Sequence, residues 1–158
     1  KSAMAENNCT FKTTPGHFAV SQDSIDVMAL RAALGSDADG AVVTFEGIVR
    51  NHNEGKQVRS LFYEACSELA QGEAEAIFQE AEARFGLTRI VCVHRVGALQ
   101  VGDTAVFVGV STAHRGESFD GCRFIIDAIK HRLPIWKKEE YLDGSTSWVN
   151  CQCREDSP

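Results

Sequence analysis

The chain has 158 residues, 44% of them hydrophobic, which suits one ordinary domain with a buried core. Its formal net charge of -6 argues against a general nucleic-acid-binding protein, because binding to a phosphate backbone requires a basic surface. No stretch approaches the roughly 20 apolar residues that cross a bilayer, and the N-terminal segment lacks the apolar core of a signal peptide. We therefore expect a soluble, cytoplasmic protein that binds neither nucleic acid nor a membrane.

The chain is predicted to contain one domain between two polar ends. Residues 1–16 are polar, lack a hydrophobic pattern and end in Pro15-Gly16, which is typical of a flexible leader. The domain then covers residues 17–150, and a polar tail covers 151–158. We expect the function to reside in the central domain.

Strands and helices alternate along the predicted domain. In chain order they are a strand at 17–20, a helix at 24–34, strands at 41–50 and 58–65, a helix at 67–85, strands at 88–96 and 104–111, a helix at about 117–133, and strands at 135–142 and 147–149. The order of these elements predicts an α+β fold with mixed sheets.

Local signals set the ends of these elements. Asp23 or Ser24 is the expected cap of the first helix and Gly35 its end, while Gly86 and Pro134 end the other two helices. The strands at 41–50 and 58–65 are predicted to pair as a hairpin across a long polar loop, and the last two strands as a hairpin around Asp143-Gly144. The strands at 88–96 and 104–111 are expected to be joined by a turn around Gly102-Asp103.

Basic residues gather in two regions although the net charge is negative. One group flanks the loop after the second strand, and the other surrounds the last helix; together they comprise Arg50, His52, Lys56, Arg59, His114, Arg115, Arg123, Lys130, His131, Arg132, Lys137 and Lys138. Such an asymmetry can produce a cationic cleft for a phosphate or a carboxylate.

Individual members of this set have simpler alternatives. His114 and Arg115 follow a strand and precede a helix, where backbone N–H groups attract anions, but an exposed arginine and a hydrogen-bonded histidine explain them equally. Lys130 could contact Asp127 on a solvated helix face. In the extended segment that begins at Ile135, only one of Lys137 and Lys138 can face a given pocket.

Two lysines that converge on one pocket would repel each other, which favours a neutral amine that can exchange protons or act as a nucleophile. Other chemistries have less support. The sequence contains no GxSxG motif and no glycine-rich phosphate loop. The six cysteines include no CxxC pair, so we expect neither a disulfide framework nor a zinc site.

Three segments resemble the large subunit of molybdopterin synthase. They are FEGIVRNHNEGKQVRSLFYEA at 45–65, HRVGALQVGDTAVFVGVSTAHR at 94–115, and IKHRLPIWKKE with DGSTSWV within 129–149. The resemblance extends from about Phe18 to Val149, nearly the whole domain. The chain departs from the family pattern at Cys66, where the family often has an aromatic residue.

This resemblance implies an α/β hammerhead-like domain with an additional small antiparallel sheet. It also implies a homodimer that carries two small ubiquitin-like subunits, one at each end, as a heterotetramer. The C-terminal Gly-Gly tail of the small subunit, with its thiocarboxylate, would donate sulfur to cyclic pyranopterin monophosphate and so build the dithiolene of molybdopterin. The reaction requires no metal or other cofactor in the large subunit.

The resemblance also assigns roles to residues. Lys130 matches the family's essential lysine, a general acid/base or a transient covalent partner, and Lys137 matches a second active-site lysine. Arg50, His114 and Arg115 match the group that holds the phosphate and pterin of the substrate, and Arg132 is a further candidate for the pocket.

Two other functions remain open at the level of sequence. The basic cluster could belong to a module that binds anions or RNA and needs no small protein partner. Alternatively, an exposed edge strand could accept a peptide tail in a non-enzymatic adaptor, in which replacement of Lys130 would have no catalytic effect.

Overall fold

The computed structural model describes residues 16–150, which form nine strands and three helices. Apart from Gly16, the predicted leader and the polar tail at 151–158 lie outside the described residues. The strands are β1 Gly16–Ser21, β2 Ala41–Ile48, β3 His52–Asn53, β4 Lys56–Ala65, β5 Arg89–Arg95, β6 Gly97–Gln100, β7 Thr104–Thr112, β8 Ile135–Tyr141 and β9 Thr146–Asn150. The helices are α1 Val27–Ala32, α2 Ser67–Phe85 and α3 Arg115–Arg132.

The strands form two sheets, and the α+β class predicted from the sequence is confirmed. The first sheet has the order β1-β5-β7-β2, in which β1 runs parallel to β5 and the other neighbours are antiparallel. The second sheet is antiparallel, with the order β3-β4-β8-β9 and with β6 also paired to β4. The predicted closing hairpin is the pair β8–β9.

The predicted hairpin between residues 41–50 and 58–65 is wrong. β2 pairs with β7 in the first sheet, whereas β4 pairs with β8 in the second. The register of β2 shifts between Gly47 and Ile48, and the chain then crosses to the second sheet. The intervening polar segment instead forms a tight β3–β4 hairpin, in which Glu54 (φ 49°) and Gly55 (φ 78°) have the positive φ angles of a two-residue type I′ turn.

The middle helix has the predicted bounds, and Gly86 ends it in the left-handed conformation at φ 64°. The first helix is shorter than predicted, because Asp26 rather than Asp23 or Ser24 caps it, accepting a hydrogen bond from the Ala29 N–H at 3.1 Å. The Asp23 N–H instead donates to Ser21 Oγ at 3.1 Å, which keeps this segment in a turn. The connection between β5 and β7 contains the unpredicted strand β6, which pairs with β4.

The main core lies between the first sheet and helices α2 and α3. Its β7 strand is central and buried on both faces, which explains its continuous apolar sequence. Two apolar residues of these helices, Leu69 of α2 and Phe119 of α3, lie outside the core and are 65% and 60% exposed. A separate cluster under the second sheet includes Val58, Leu99 and Tyr141. Within residues 16–150, no helix is long and apolar enough to cross a membrane.

Candidate active site

A cleft lies where the second sheet meets the first sheet and the C-terminal part of α3. Its volume is about 170 Å³. Since a water molecule occupies about 30 Å³ in the liquid, the cleft has room for a phosphate or carboxylate group with a few waters, and a larger molecule would extend out of it. The polar and charged side chains that line it are Arg50, His52, Asn53, Tyr63, His94, Lys130, Lys137 and Glu139.

Strand alternation places Lys137 in the cleft and Lys138 on the opposite face of β8. Lys137 lies opposite Tyr63 of β4, another residue that lines the cleft. Lys138 stands over the ring of Trp148, with Nζ 5.7 Å from the ring centroid. The expectation that only one of the two lysines faces the pocket agrees with this arrangement, and the lysine in the cleft is Lys137.

A buried carboxylate fixes the position of Lys137. Glu139, only 1% exposed, accepts from Lys137 Nζ at 3.2 Å. Asn53 Nδ2 donates to the same carboxylate oxygen at 2.7 Å, and the Tyr141 hydroxyl donates to the other at 2.8 Å. These three donors compensate the buried negative charge, and the bond to Glu139 raises the pKa of Tyr141. Asn53 also accepts a long hydrogen bond of 3.5 Å from Arg50, so one network joins two of the cations of the cleft.

The side chain of Lys130, in contrast, forms no salt bridge or hydrogen bond with another residue in the described part of the chain. Asp127, the alternative partner that helical spacing allowed, pairs with Arg123 at 3.7 Å instead. Lys130 is exposed at the mouth of the cleft. Its ammonium group is therefore available to a ligand, whereas that of Lys137 is held by the protein.

His94 ends the apolar run of β5 and contributes a nearly buried imidazole to the cleft. Its Nδ1 lies 2.7 Å from the carbonyl oxygen of Arg95, and its ring packs edge-on against Tyr63 with centroids 5.0 Å apart. Burial, reinforced by the charge of Lys130, lowers the pKa of His94 to about 4. The imidazole is therefore neutral at physiological pH.

The remaining predicted site residues lie elsewhere in the single chain. His114 occupies the N-cap position of α3 without a side-chain capping hydrogen bond, Arg115 is the first residue of the helix, and neither lines the cleft. At 1.5 Å per residue, the 15 residues from Arg115 to Lys130 separate them by about 22 Å along the helix. Arg132 also lies outside the cleft, where it pairs with Glu73 at 2.7 Å and with Glu80 of α2.

His94 and Glu139 line the cleft but are absent from the site residues predicted from the sequence, although each left a signal there. Glu139 shares one side of the extended segment with Lys137, which would place it beside the lysine in any strand. His94 is the one polar residue that interrupts an apolar run before a charged residue, a pattern that occurs where a buried strand reaches a site. Such a histidine is also common in ordinary cores, so the sequence alone could not distinguish the two.

The described cysteines are free thiols, and none of them lines the cleft. They are Cys66, Cys92 and Cys122. Burial raises the pKa of Cys122 to about 11 and also raises that of Cys92, which makes both thiols unreactive at neutral pH. Across residues 16–150, no three His, Cys, Asp or Glu side chains form a cluster that could hold a metal ion.

Comparisons with known proteins agree with this fold and with the resemblance in sequence. Residues 20–132 match the family model described as MoaE protein. The molybdopterin synthase catalytic subunit of Nostoc sp. is 39% identical over 141 residues, which cover 89% of this chain and 86% of that protein.

Solved structures give the same result. The crystal structure of molybdopterin synthase from Staphylococcus aureus has a TM-score of 0.77 and 33% identity, over 82% of this chain and 94% of that one. A structure from Helicobacter pylori is similar in fold, with a TM-score of 0.66 and 20% identity over 89% of this chain and 92% of that one. It is described as a protein-protein complex of subunits 1 and 2 of molybdopterin-converting factor. By sequence and fold together, this chain belongs to the MoaE protein family, that of the molybdopterin synthase catalytic subunits.

Proposed function

We propose that the chain transfers sulfur from the C-terminal thiocarboxylate of a small ubiquitin-like subunit to cyclic pyranopterin monophosphate, and that Arg50, Lys130 and Lys137 form the reaction site. Two such transfers build the dithiolene of molybdopterin. The enzyme class follows from the family, and the residues, substrate and sulfur donor are the parts proposed here.

The charge of the cleft is the observation that supports this proposal. Three cationic side chains line it, whereas Glu139 contributes the only carboxylate among its described residues. The small volume suits a phosphate or the narrow end of an extended peptide, and the bulk of either reactant would lie outside. A chain with a net charge of -6 therefore has a local cationic site of the size that the reaction needs.

The two reactants are both anions, so electrostatics must be part of the catalysis. Two unit negative charges 4 Å apart repel by about 4 kcal/mol at an effective dielectric constant of 20. A net excess of positive charge offsets this repulsion when a thiocarboxylate and a phosphate meet. Because the cations are already in place before the reactants bind, little reorganisation is required during the reaction.

The surroundings of the two lysines suggest different roles. Lys137 is held by the buried carboxylate of Glu139, so it can act as a fixed positive charge. Lys130 has no such partner among the described residues and is free to approach the reacting atoms. We assign proton transfer, or a transient covalent bond to the acyl carbon of the tail, to Lys130.

Each transfer forms a carbon–sulfur bond at one carbon of the pterin side chain and breaks a carbon–oxygen bond at that carbon: one of the two oxygens leaves with the ring phosphate and the other leaves as water. The bond between sulfur and the acyl carbon of the small subunit is then broken. Water supplies the oxygen atom that converts the acyl group into a carboxylate. Protons must move to and from the pterin oxygen and the attacking water, which is the task of a nearby amine. These steps need no residue that binds a metal ion or a nucleotide.

The assembly is part of the same proposal. The Helicobacter pylori protein of similar fold is described as a complex of two subunits, which supports a small protein partner. We propose a cytoplasmic homodimer with two such small subunits. In this assembly, His114 and Arg115 can join the site of Lys130 only if a second copy of the chain lies against it, since about 22 Å of helix separates them within one chain.

The direct test is reconstitution from purified components. The chain is mixed with a thiocarboxylated small subunit and cyclic pyranopterin monophosphate, and the dithiolene product is measured as its fluorescent oxidised derivative. Formation of product supports the proposal. Tight binding of the small subunit without product would favour the adaptor, and tight binding of RNA without binding of the small subunit would favour the polyanion-binding module.

A further inference from the structure

The neutral histidine beside Lys130 has no role in the chemistry described so far. His94 is 8% exposed, lines the cleft together with Lys130, and packs edge-on against Tyr63 at 5.0 Å between ring centroids. A residue with these contacts could simply fill the core, as phenylalanine would. Its hydrogen bonding and its charge argue for more than packing.

One hydrogen bond determines the tautomer of this ring. His94 Nδ1 lies 2.7 Å from the carbonyl oxygen of Arg95, and a carbonyl oxygen can only accept, so Nδ1 carries the proton. In the neutral ring, Nε2 then has a lone pair. Nε2 has no hydrogen-bond partner among the described residues. It is also not one of the described polar atoms that are fully buried without a partner, so it borders the open space of the cleft.

Burial, with a smaller contribution from a nearby charge, keeps the ring neutral. Burial lowers the pKa of His94 to about 4, and the positive charge of Lys130 contributes in the same direction. The other titratable or charged side chains that line the cleft are Arg50, His52, Tyr63, Lys137 and Glu139. The single carboxylate among them is already bonded to Lys137, Asn53 and Tyr141, so it leaves the imidazole uncharged.

We propose that His94 is a positioning residue for Lys130: when the reactants bind, the lysine ammonium group, which has no side-chain partner among the described residues, donates a hydrogen bond to Nε2 and is held at the inner end of the cleft. The inference rests on the proposed function, because it assigns a task to the pair in sulfur transfer. A neutral acceptor suits this task, since it orients an ammonium group without neutralising the positive charge that the anionic reactants require.

The first test uses NMR on the purified chain and does not depend on activity. Long-range proton–nitrogen spectra of selectively labelled histidine should show Nδ1 protonated and Nε2 unprotonated from pH 8 to pH 5.5. Lys130→Ala should raise the pKa of His94 above about 4 by only a fraction of the full shift, because a nearby positive charge is removed while burial, the larger cause, remains. The matched control is Lys138→Ala, on the opposite face of β8, which should leave the pKa of His94 unchanged.

A ring protonated at Nε2, a histidine that titrates near pH 6.5, or equal responses to Lys130→Ala and Lys138→Ala would overturn the proposal. These outcomes concern the histidine alone. They can therefore be separated from a failure of the reconstituted reaction, in which the wild-type chain would form no product.

The second test compares two substitutions of different chemistry. His94→Phe keeps the ring and its packing but removes the acceptor, whereas His94→Gln keeps a side-chain acceptor at a similar reach. We expect His94→Phe to lower kcat about tenfold, the equivalent of one hydrogen bond in the transition state, with KM little changed. His94→Gln should recover most of this loss. Wild-type kcat in a folded His94→Phe protein, or equal losses in both variants, would contradict a positioning role.

Discussion

Glu139 illustrates how a single buried side chain can organise a cationic cleft. Its carboxylate is shared by Lys137 and Tyr141 of its own strand β8 and by Asn53 of β3. A buried charge with several well-placed donors is tolerated, but loss of one partner leaves the others unsatisfied. The position of Lys137 thus depends on a residue that need not touch the substrate.

Replacement of this carboxylate should therefore affect both stability and activity. We expect Glu139→Gln to lower the free energy of unfolding by about 1–3 kcal/mol, because the amide cannot accept all three bonds, and to lower kcat because Lys137 loses its anchor. Urea denaturation and the sulfur-transfer assay measure the two effects. The matched control is Glu140→Gln on the other face of β8, where Glu140 makes a longer, exposed contact of 4.0 Å with Arg59. Equal effects of the two substitutions would contradict a special role of Glu139 in holding Lys137.

His94 makes stability depend on pH with a definite sign. Its pKa is about 4 in the folded chain against 6.5 as the ordinary value, so the unfolded chain binds more protons between these limits. Its contribution to stability is complete above pH 6.5 and is lost as the pH falls toward 4, on the order of 3 kcal/mol in total. We expect the unfolding free energy of wild type minus that of His94→Phe to decrease as the pH falls from 7.5 to 4. Urea denaturation at each pH measures this difference. A difference independent of pH would show that the histidine is not kept neutral.

At the scale of elements, Arg132 connects the last turn of α3 to α2 through Glu73 and Glu80. Its side chain is about one-third exposed (32%), so solvent screens both pairs and the contribution to stability is modest. We expect Arg132→Ala to lower the free energy of unfolding by about 1 kcal/mol and to leave sulfur transfer within about twofold of wild type.

A control on the same helix sharpens this prediction. Arg123→Ala removes a fully solvated pair with Asp127 and should cost less, about 0.3–0.5 kcal/mol. Loss of activity in Arg132→Ala without loss of stability would instead place Arg132 at the reaction site.

The bounds of elements were more predictable from sequence than their pairing. The range 67–85 has a strong helix-forming composition and a glycine at its end, so α2 was predicted residue for residue. The pairing of β2 with β7 and of β4 with β8 depends on contacts between distant segments, which local patterns do not encode. The same limit applies to the site. Alternation along β8 predicted that only one of Lys137 and Lys138 faces a given pocket, but the sequence could not say which, because that depends on how β8 pairs in the sheet.

At the scale of the whole molecule, the predicted site residues form two groups at opposite ends of α3. Arg50, Lys130 and Lys137 share the cleft, and His114 and Arg115 lie about 22 Å away along the helix. If all five serve one reaction, a homodimer must bring the second group of one subunit to the first group of the other.

Mixing inactive subunits tests this arrangement. Lys130→Ala and Arg115→Ala homodimers should each lose most activity, while mixed dimers formed after partial unfolding and reassembly should regain part of it, because one of their two sites has both residues intact. The expected recovery, measured by sulfur transfer, approaches one-quarter of wild type: half of the dimers are mixed in a random reassembly, and each has one complete site. Full activity of the Arg115→Ala homodimer would exclude Arg115 from the site. No recovery in mixed dimers verified by mass spectrometry would contradict a site shared between subunits.

Sulfur transfer in the cationic cleft, with Lys130 as the reactive group, can be followed in a single-turnover reaction with excess chain, thiocarboxylated small subunit and cyclic pyranopterin monophosphate. The rates to compare are those of wild type, Lys130→Ala and Lys138→Ala. We predict a loss of at least about 100-fold for Lys130→Ala, the size expected when a proton-transfer group is removed, and a near wild-type rate for Lys138→Ala, which lies outside the cleft. Equal rates for the two variants, with binding of the small subunit intact, would contradict this role of Lys130.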